Sequence, residues 1–163
     1  IVCGKLISGG TVDQPVGRHA SVRIKMAVYK TSVASSTAKP AITHFRIEER
    51  FSQHTELRIN LETGRTHQIR VHAAEALQCP VVGDGKYGGS GQENLGDGWG
   101  AGMGSEIGRK LHLHARSLTI EHPATGATLH LTAPLPDHMR NTWDYVGWVV
   151  GHAPVDPFNM PDA

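Results

Sequence analysis

The stretch Leu57-Arg58-Ile59-Asn60-Leu61-Glu62-Thr63-Gly64-Arg65-Thr66-His67-Gln68-Ile69-Arg70-Val71-His72 changes its period in mid-course. Leu57, Ile59 and Leu61 alternate with Arg58, Asn60 and Glu62, the pattern of a half-buried strand. From Thr66 to about Leu77 the spacing turns helical, through Ile69, Ala73, Ala76 and Leu77, with Thr66 as N-cap and Gln78 to Pro80 as the stop. Two arginines, two histidines and a glutamine crowd this turn and helix start. Such residues are poor material for a core and good material for a wall that faces an anion.

Upstream, Phe45 and Ile47 alternate with His44, Arg46 and Glu48, so the first strand has a hairpin partner across a polar turn near Ser52 to His54. A second hairpin is expected where Leu118 and Ile120 face Leu129 and Leu131 across Pro123-Ala124-Thr125-Gly126. A second helix is expected over Met139 to Val150, started by Pro136 and Asp137, with Trp143, Val146 and Val150 at helical steps. Residues 83–108 hold 11 glycines in 26 positions, a composition that forms no stable helix or long strand and reads as a flexible loop. Thr31 to Lys39 is a Ser/Thr/Ala-rich loop, and 151–163 reads as an irregular, proline-bearing tail.

With 163 residues the chain is long enough for one domain with a core, here placed over 1–150. A hydrophobic fraction of 39% and an aromatic share of 6% are those of an ordinary globular protein. No apolar run reaches the roughly 20 residues needed to cross a bilayer, and no secretory leader is recognisable, so no membrane partner and a cytoplasmic location are expected. Cys3 and Cys79 lack CxxC spacing and are expected to stay reduced. The net charge is only +1, but Arg58, Arg65 and Arg70 gather in one region and Arg109, Lys110 and Arg116 in another. Local basic patches matter more for phosphate binding than the total does. The chain opens on Ile1-Val2-Cys3-Gly4 as if inside a strand, which suggests a piece of a longer protein.

Three constellations invite chemistry. In a helix begun at Thr66, His67 and Arg70 share a face, and the free N–H groups beside Arg65 suit a phosphate or carboxylate. Arg70 would hold a carboxylate by a bidentate pair; a solvated helix start is the competing reading. His112 and His114 alternate as if on one strand face, and with His67 and His72 they suggest zinc, yet no HExxH or related ligand spacing accompanies them. Asp84, between Gly83 and Gly85, is either turn chemistry or a nucleophile, with Lys86 and Tyr87 as a substrate-facing pair. Serine-hydrolase, P-loop and dinucleotide signatures are missing from the sequence, as are paired carboxylates of the glycosidase kind.

Leu61-Glu62-Thr63-Gly64-Arg65-Thr66-His67-Gln68-Ile69-Arg70-Val71-His72, followed by Cys79-Pro80-Val81-Val82-Gly83-Asp84-Gly85-Lys86-Tyr87-Gly88, resembles the signature of RluA-type pseudouridine synthases. Ala38 to Thr43, Leu111 to Ala115 and Ala133 to Met139 resemble further family phrases in the same order. The resemblance implies a metal-free, cofactor-free enzyme in which an aspartate attacks a flipped uridine, and the detached base is rotated and rejoined through carbon. It implies that Arg70 pairs with that aspartate and that Leu113 makes an apolar contact near the base. It also implies that Arg65, His67 and Gln68 hold the motif together or meet RNA, joined there by Lys86 and Tyr87.

The family's His-Arg-Leu-Asp motif has no counterpart in the sequence, and neither does its Tyr-x-Ala phrase. The expected fold is therefore α/β of the α+β kind, a mixed, largely antiparallel sheet with flanking helices, representing the C-terminal half of a pseudouridine synthase catalytic domain. The expected partner is RNA, large-subunit ribosomal RNA first, met by a monomer that cannot complete the reaction alone. The alternative is a non-catalytic RNA-binding module on the same scaffold.

Overall fold

The computed structural model describes residues 1–31, 33–51, 53–88 and 110–151. They fall into two compact units, Ile1–His112 and Leu113–Ala163. In the first unit a four-stranded antiparallel sheet runs in the order β1-β6-β5-β2, with β1 at Val2–Cys3, β2 at Gly10–Asp13, β5 at Ile42–Phe51 and β6 at His54–Leu61. Strands β3 (Val16–Arg18) and β4 (Met26–Val28) form a separate antiparallel pair.

The β5–β6 register places Phe45 opposite Ile59 and Ile47 opposite Leu57, so the alternating apolar residues share one face, as the sequence leads one to expect. A bulge between Ile47 and Glu49 shifts the pairing beyond them. Burial alternates in step into the start of β5, with Ala41 just ahead of the strand and Thr43 and Phe45 within it buried.

The helix that follows departs from expectation. Only Gln68–Val71 is α-helical (α1), and it passes directly into a π-helical turn over His72–Ala76. Leu77 N–H donates to the His72 carbonyl, five residues back, at 3.0 Å. The N-cap is His67, not Thr66, and its backbone is left-handed with φ 55°. This conformation costs a non-glycine residue roughly 1–2 kcal/mol. Spacing alone misses the wider turn, because side chains and not periodicity set it: His72 and Gln68 reach back to β5. The π turn buries His72 and Ala73, and Val71 packs with Val16 and Ala41 in the core.

The second unit contains the hairpin of β7 (Ser117–Glu121) and β8 (Thr128–Thr132) and the helix α2 (Asp137–Val146). Leu118 faces Leu131 and Ile120 faces Leu129, the pairing that the alternation requires. Helix α2 ends earlier than its apolar spacing suggests, because Gly147 takes a left-handed cap with φ 75° and leaves Val150 outside. Its buried face carries Met139 and Trp143, and Trp148 meets Trp143 edge to face at 5.4 Å. Burying two such side chains contributes about 1.5–3 kcal/mol each. The α+β expectation holds, with few helices. Most of the glycine-rich stretch 83–108 and of the tail 151–163 lies outside the described residues, as does Arg109.

Candidate active site

Strand β6 delivers the chain to Thr63, whose hydroxyl accepts the Ile42 N–H and donates to the Gln68 side-chain carbonyl. That same oxygen accepts the Arg65 N–H, while the Gln68 amide donates to the Ile42 carbonyl and to Thr43 Oγ1, each at 3.0 Å. Gln68 is buried with donors and acceptor filled from inside the protein. It ties the motif to β5, and its carboxamide has nothing left for RNA. Buried amides persist only when partnered in this way.

His72 extends the seam. Its Nε2–H donates to the Gln14 carbonyl and its Nδ1 accepts from Thr43 Oγ1, both at 2.8 Å. A ring that must accept at one nitrogen is neutral, and burial accordingly lowers its pKa below the ordinary histidine value. His72 is thus a core histidine. His112 is buried too, with Nδ1 near the Lys110 carbonyl, whereas His114 lies in the second unit near the Ala133 carbonyl. Residues 111–116 form no strand, so the shared strand face expected for these two histidines does not exist. No group of three or more metal-ligating side chains occurs among the described residues.

The other half of the motif converges on Asp84. Arg70 Nε donates to Asp84 Oδ2 at 2.8 Å and Nη2 to Oδ1 at 2.7 Å, a bidentate pair. The backbone N–H groups of Lys86 and Tyr87 also donate to Oδ1, each at 3.0 Å. Burial alone would raise the Asp84 pKa, but the Arg70 hydrogen bonds, these two N–H groups and the arginine charge outweigh it and hold the carboxyl below its usual range. The same contact raises Arg70 above its ordinary value. Arg70 thus already has a carboxylate partner within the chain, Asp84, besides the aspartate that the resemblance leads one to expect. The pair uses the Nε–Nη2 edge of Arg70, and the Nη1 end lies outside it.

The loop that carries Asp84 is fixed by Gly83. Its φ is 77°, and a Cβ there would lie 2.1 Å from the Lys110 carbonyl oxygen. No side chain fits, because the 110–112 segment lies against this loop, with His112 N–H donating to the Val82 carbonyl.

Tyr87 roofs the site. The Arg70 guanidinium lies 5.1 Å from its ring centre, and Lys25 lies 6.0 Å away. Its hydroxyl accepts the Met26 N–H at 2.9 Å and donates to His67 Nδ1 at 2.8 Å, which leaves the His67 proton on Nε2. Partial burial first, and then the charges of Arg70 and Lys86, lower the His67 pKa, so the ring is neutral near pH 7. Burial pushes the Tyr87 hydroxyl up.

Of the residues singled out from the sequence, Arg70, His67, Lys86 and Tyr87 come together around Asp84. Arg65 stands at the edge of the Gln68 network, with Nε on the Pro40 carbonyl. Leu113 opens the second unit. Arg58 pairs with Glu48 across the β5–β6 hairpin at 2.9 Å. Sequence reasoning missed Asp84 as the partner of Arg70, although a lone acidic residue in a tight glycine turn, downstream of a solitary helix arginine, is a usable signal. It also missed Glu75, whose carboxylate accepts the Val28 N–H at 2.7 Å.

Residues 6–75 match the family model described as RNA pseudouridylate synthase. The chain is 45% identical over 145 residues to the ribosomal large subunit pseudouridine synthase D of Vibrio vulnificus, covering 85% of this chain and 41% of the relative. The protein of the same name from Xanthomonas campestris is 42% identical over 142 residues, with 86% and 40% coverage. The chain thus spans about 41% of the length of the first of these relatives. Among solved structures, human RNA pseudouridylate synthase domain containing 4 superposes with a TM-score of 0.68 at 25% identity, covering 93% of this chain and 61% of that one. Motif, fold and relatives point the same way: the chain is similar to RluA-type pseudouridine synthases over most of its own length.

Proposed function

We propose that this chain supplies the arginine side of the active site of a ribosomal RNA pseudouridine synthase, acting on large-subunit ribosomal RNA. The observation that carries the reading is the bidentate Arg70–Asp84 pair beneath Tyr87, set in the family's own motif. Asp84 fixes Arg70 through its Nε–Nη2 edge, so the Nη1 end is available to a second carboxylate. A nucleophilic aspartate there would be kept ionised and aimed by a charge that does not have to reorganise. That aspartate belongs to a His-Arg-Leu-Asp motif which this sequence lacks, so the chain by itself binds RNA without turnover. Leu113 would add an apolar contact to the base.

RNA backbone meets the cations around the site. Arg65 and Lys86 are half-exposed, and the β3–β4 hairpin adds exposed Arg18 and Arg23. From Val16 to Lys30 the chain carries Arg18, Arg23, Lys25 and Lys30 and no acidic residue. In a polypeptide that also carries the aspartate motif, Arg70→Ala is expected to lower turnover by about 10²–10³-fold while changing RNA affinity by less than about threefold. Equal losses in both, measured by single-turnover kinetics and filter binding, would remove Arg70 from the chemistry. Arg65→Ala is expected to weaken RNA binding uniformly across sequences and to reduce the salt slope by about one.

A further inference from the structure

Strand β4 is an edge strand with only β3 beside it. Its odd-numbered residues face β3: Gly17 pairs with Ala27, the Lys25 carbonyl accepts the His19 N–H, and Tyr29 N–H reaches the Pro15 carbonyl. Residues 24, 26 and 28 therefore turn their backbone groups to the other side, where a neighbouring strand would stand. Three side chains from the 75–87 segment stand there instead. Lys86 Nζ donates to the Ile24 carbonyl at 3.1 Å, Tyr87 Oη accepts the Met26 N–H at 2.9 Å, and Glu75 Oε2 accepts the Val28 N–H at 2.7 Å. Donor and acceptor roles match each backbone group in turn, at the two-residue step of the strand.

From this we infer that Glu75 is a positioning residue for RNA binding: with Tyr87 and Lys86 it clamps the outer edge of β4 and so fixes the basic β3–β4 hairpin against the Arg70–Asp84 site. The inference rests on the RNA-binding reading above. Glu75 is exposed, its carboxylate bonds to Val28 and not to Arg70, and it is an acidic side chain beside a hairpin that carries four cations. Electrostatics alone would make it unfavourable to RNA binding. Its hydrogen bond to Val28 gives it the opposite role. An edge amide left without an acceptor opens to solvent, and the hairpin loosens with it.

The sign of the effect separates the two roles. Glu75→Gln removes the charge and keeps an oxygen that accepts the Val28 N–H; Glu75→Ala removes both. Exchange of the Val28 amide is expected to quicken roughly tenfold in Glu75→Ala and to stay within about twofold of the parent in Glu75→Gln. Tyr87→Phe, which loses only the hydroxyl, is expected to quicken the Met26 amide in the same way. With large-subunit ribosomal RNA as the probe, Glu75→Ala is expected to bind about three- to tenfold more weakly, and Glu75→Gln as well as or better than the parent. Variants that move together, both unchanged or both tighter, would overturn the clamp and leave Glu75 as a simple surface charge. If the parent chain bound no RNA, the proposed function would fall and the exchange comparison would still decide whether the clamp exists.

Discussion

The β5–β6 and β7–β8 hairpins carry the same alternation of apolar and polar residues, yet the protein uses them differently. In β5–β6 most of the alternate positions are covered, down to 8% exposure at Phe45, and only Leu61 at the strand end reaches 41%. In β7–β8 they stay open, with Leu118 at 53% and Leu131 at 50%. Between them in sequence, the motif from Thr63 to Tyr87 does the reverse and buries its polar side chains, with Gln68 at 3%, His72 at 1% and Asp84 at 1%. Alternation specifies which residues pair across a hairpin, because period two and turn position fix the register. It does not specify what lies over the paired face. Polar residues go inside wherever each lone pair and proton meets a partner, and the motif achieves that residue by residue.

The contrast can be broken first at Asp84. Asp84→Ala strands the Arg70 guanidinium and two backbone N–H groups. It is expected to destabilise the chain by about 3 kcal/mol, the low end for a broken buried pair, because the Arg70 side chain keeps 19% exposure. Urea denaturation measures it, and a loss below about 1 kcal/mol would make the pair a surface contact. The pH dependence has a definite sign. The folded Asp84 pKa is depressed, so its contribution is complete above the ordinary carboxylate value of about 4 and is lost as pH falls through the lower folded value. The parent is therefore expected to lose stability in acid more steeply than Asp84→Asn, which begins less stable.

Next comes Gly83→Ala, where left-handed backbone and a carbonyl 2.1 Å from the added Cβ act together. A loss of about 2–3 kcal/mol is expected in the same denaturation experiment. Near-neutral behaviour would mean that the Asp84 loop yields. The smallest effect is expected at the open hairpin: Leu118→Thr should stay within about 0.5 kcal/mol. A cost above about 1.5 kcal/mol would show that its apolar face is covered in solution and would erase the contrast.

What the sequence made legible follows the same division. Both hairpins, the register of the second and the helix after Pro136 are readable because their signals are local and periodic, whereas the bulge that shifts the first is not. The conversion of the expected Thr66–Leu77 helix into one α turn and a π turn was not, since His67 takes a strained conformation and His72 turns inward through bonds to Gln14 and Thr43 far away in the chain. Arg70 could be singled out as a carboxylate binder from its place in the motif. Its partner could not, because a glycine-flanked aspartate looks the same whether it closes a turn or anchors an arginine. The side-chain clamp on β4 is invisible for a related reason: Glu75 stands alone in an ordinary helical stretch, and its role exists only through the Val28 amide.

The most direct measurement is release of tritium from large-subunit ribosomal RNA labelled at the uracil carbon that forms the new glycosidic bond. The chain alone is expected to bind this RNA and release nothing above background. The chain joined to a segment bearing the aspartate motif is expected to release tritium at a rate that Arg70→Ala lowers by about 10²–10³-fold. Release by the chain alone would contradict the claim that it holds only the arginine side of the site, and release by Arg70→Ala at the parent rate would contradict the role given to that arginine.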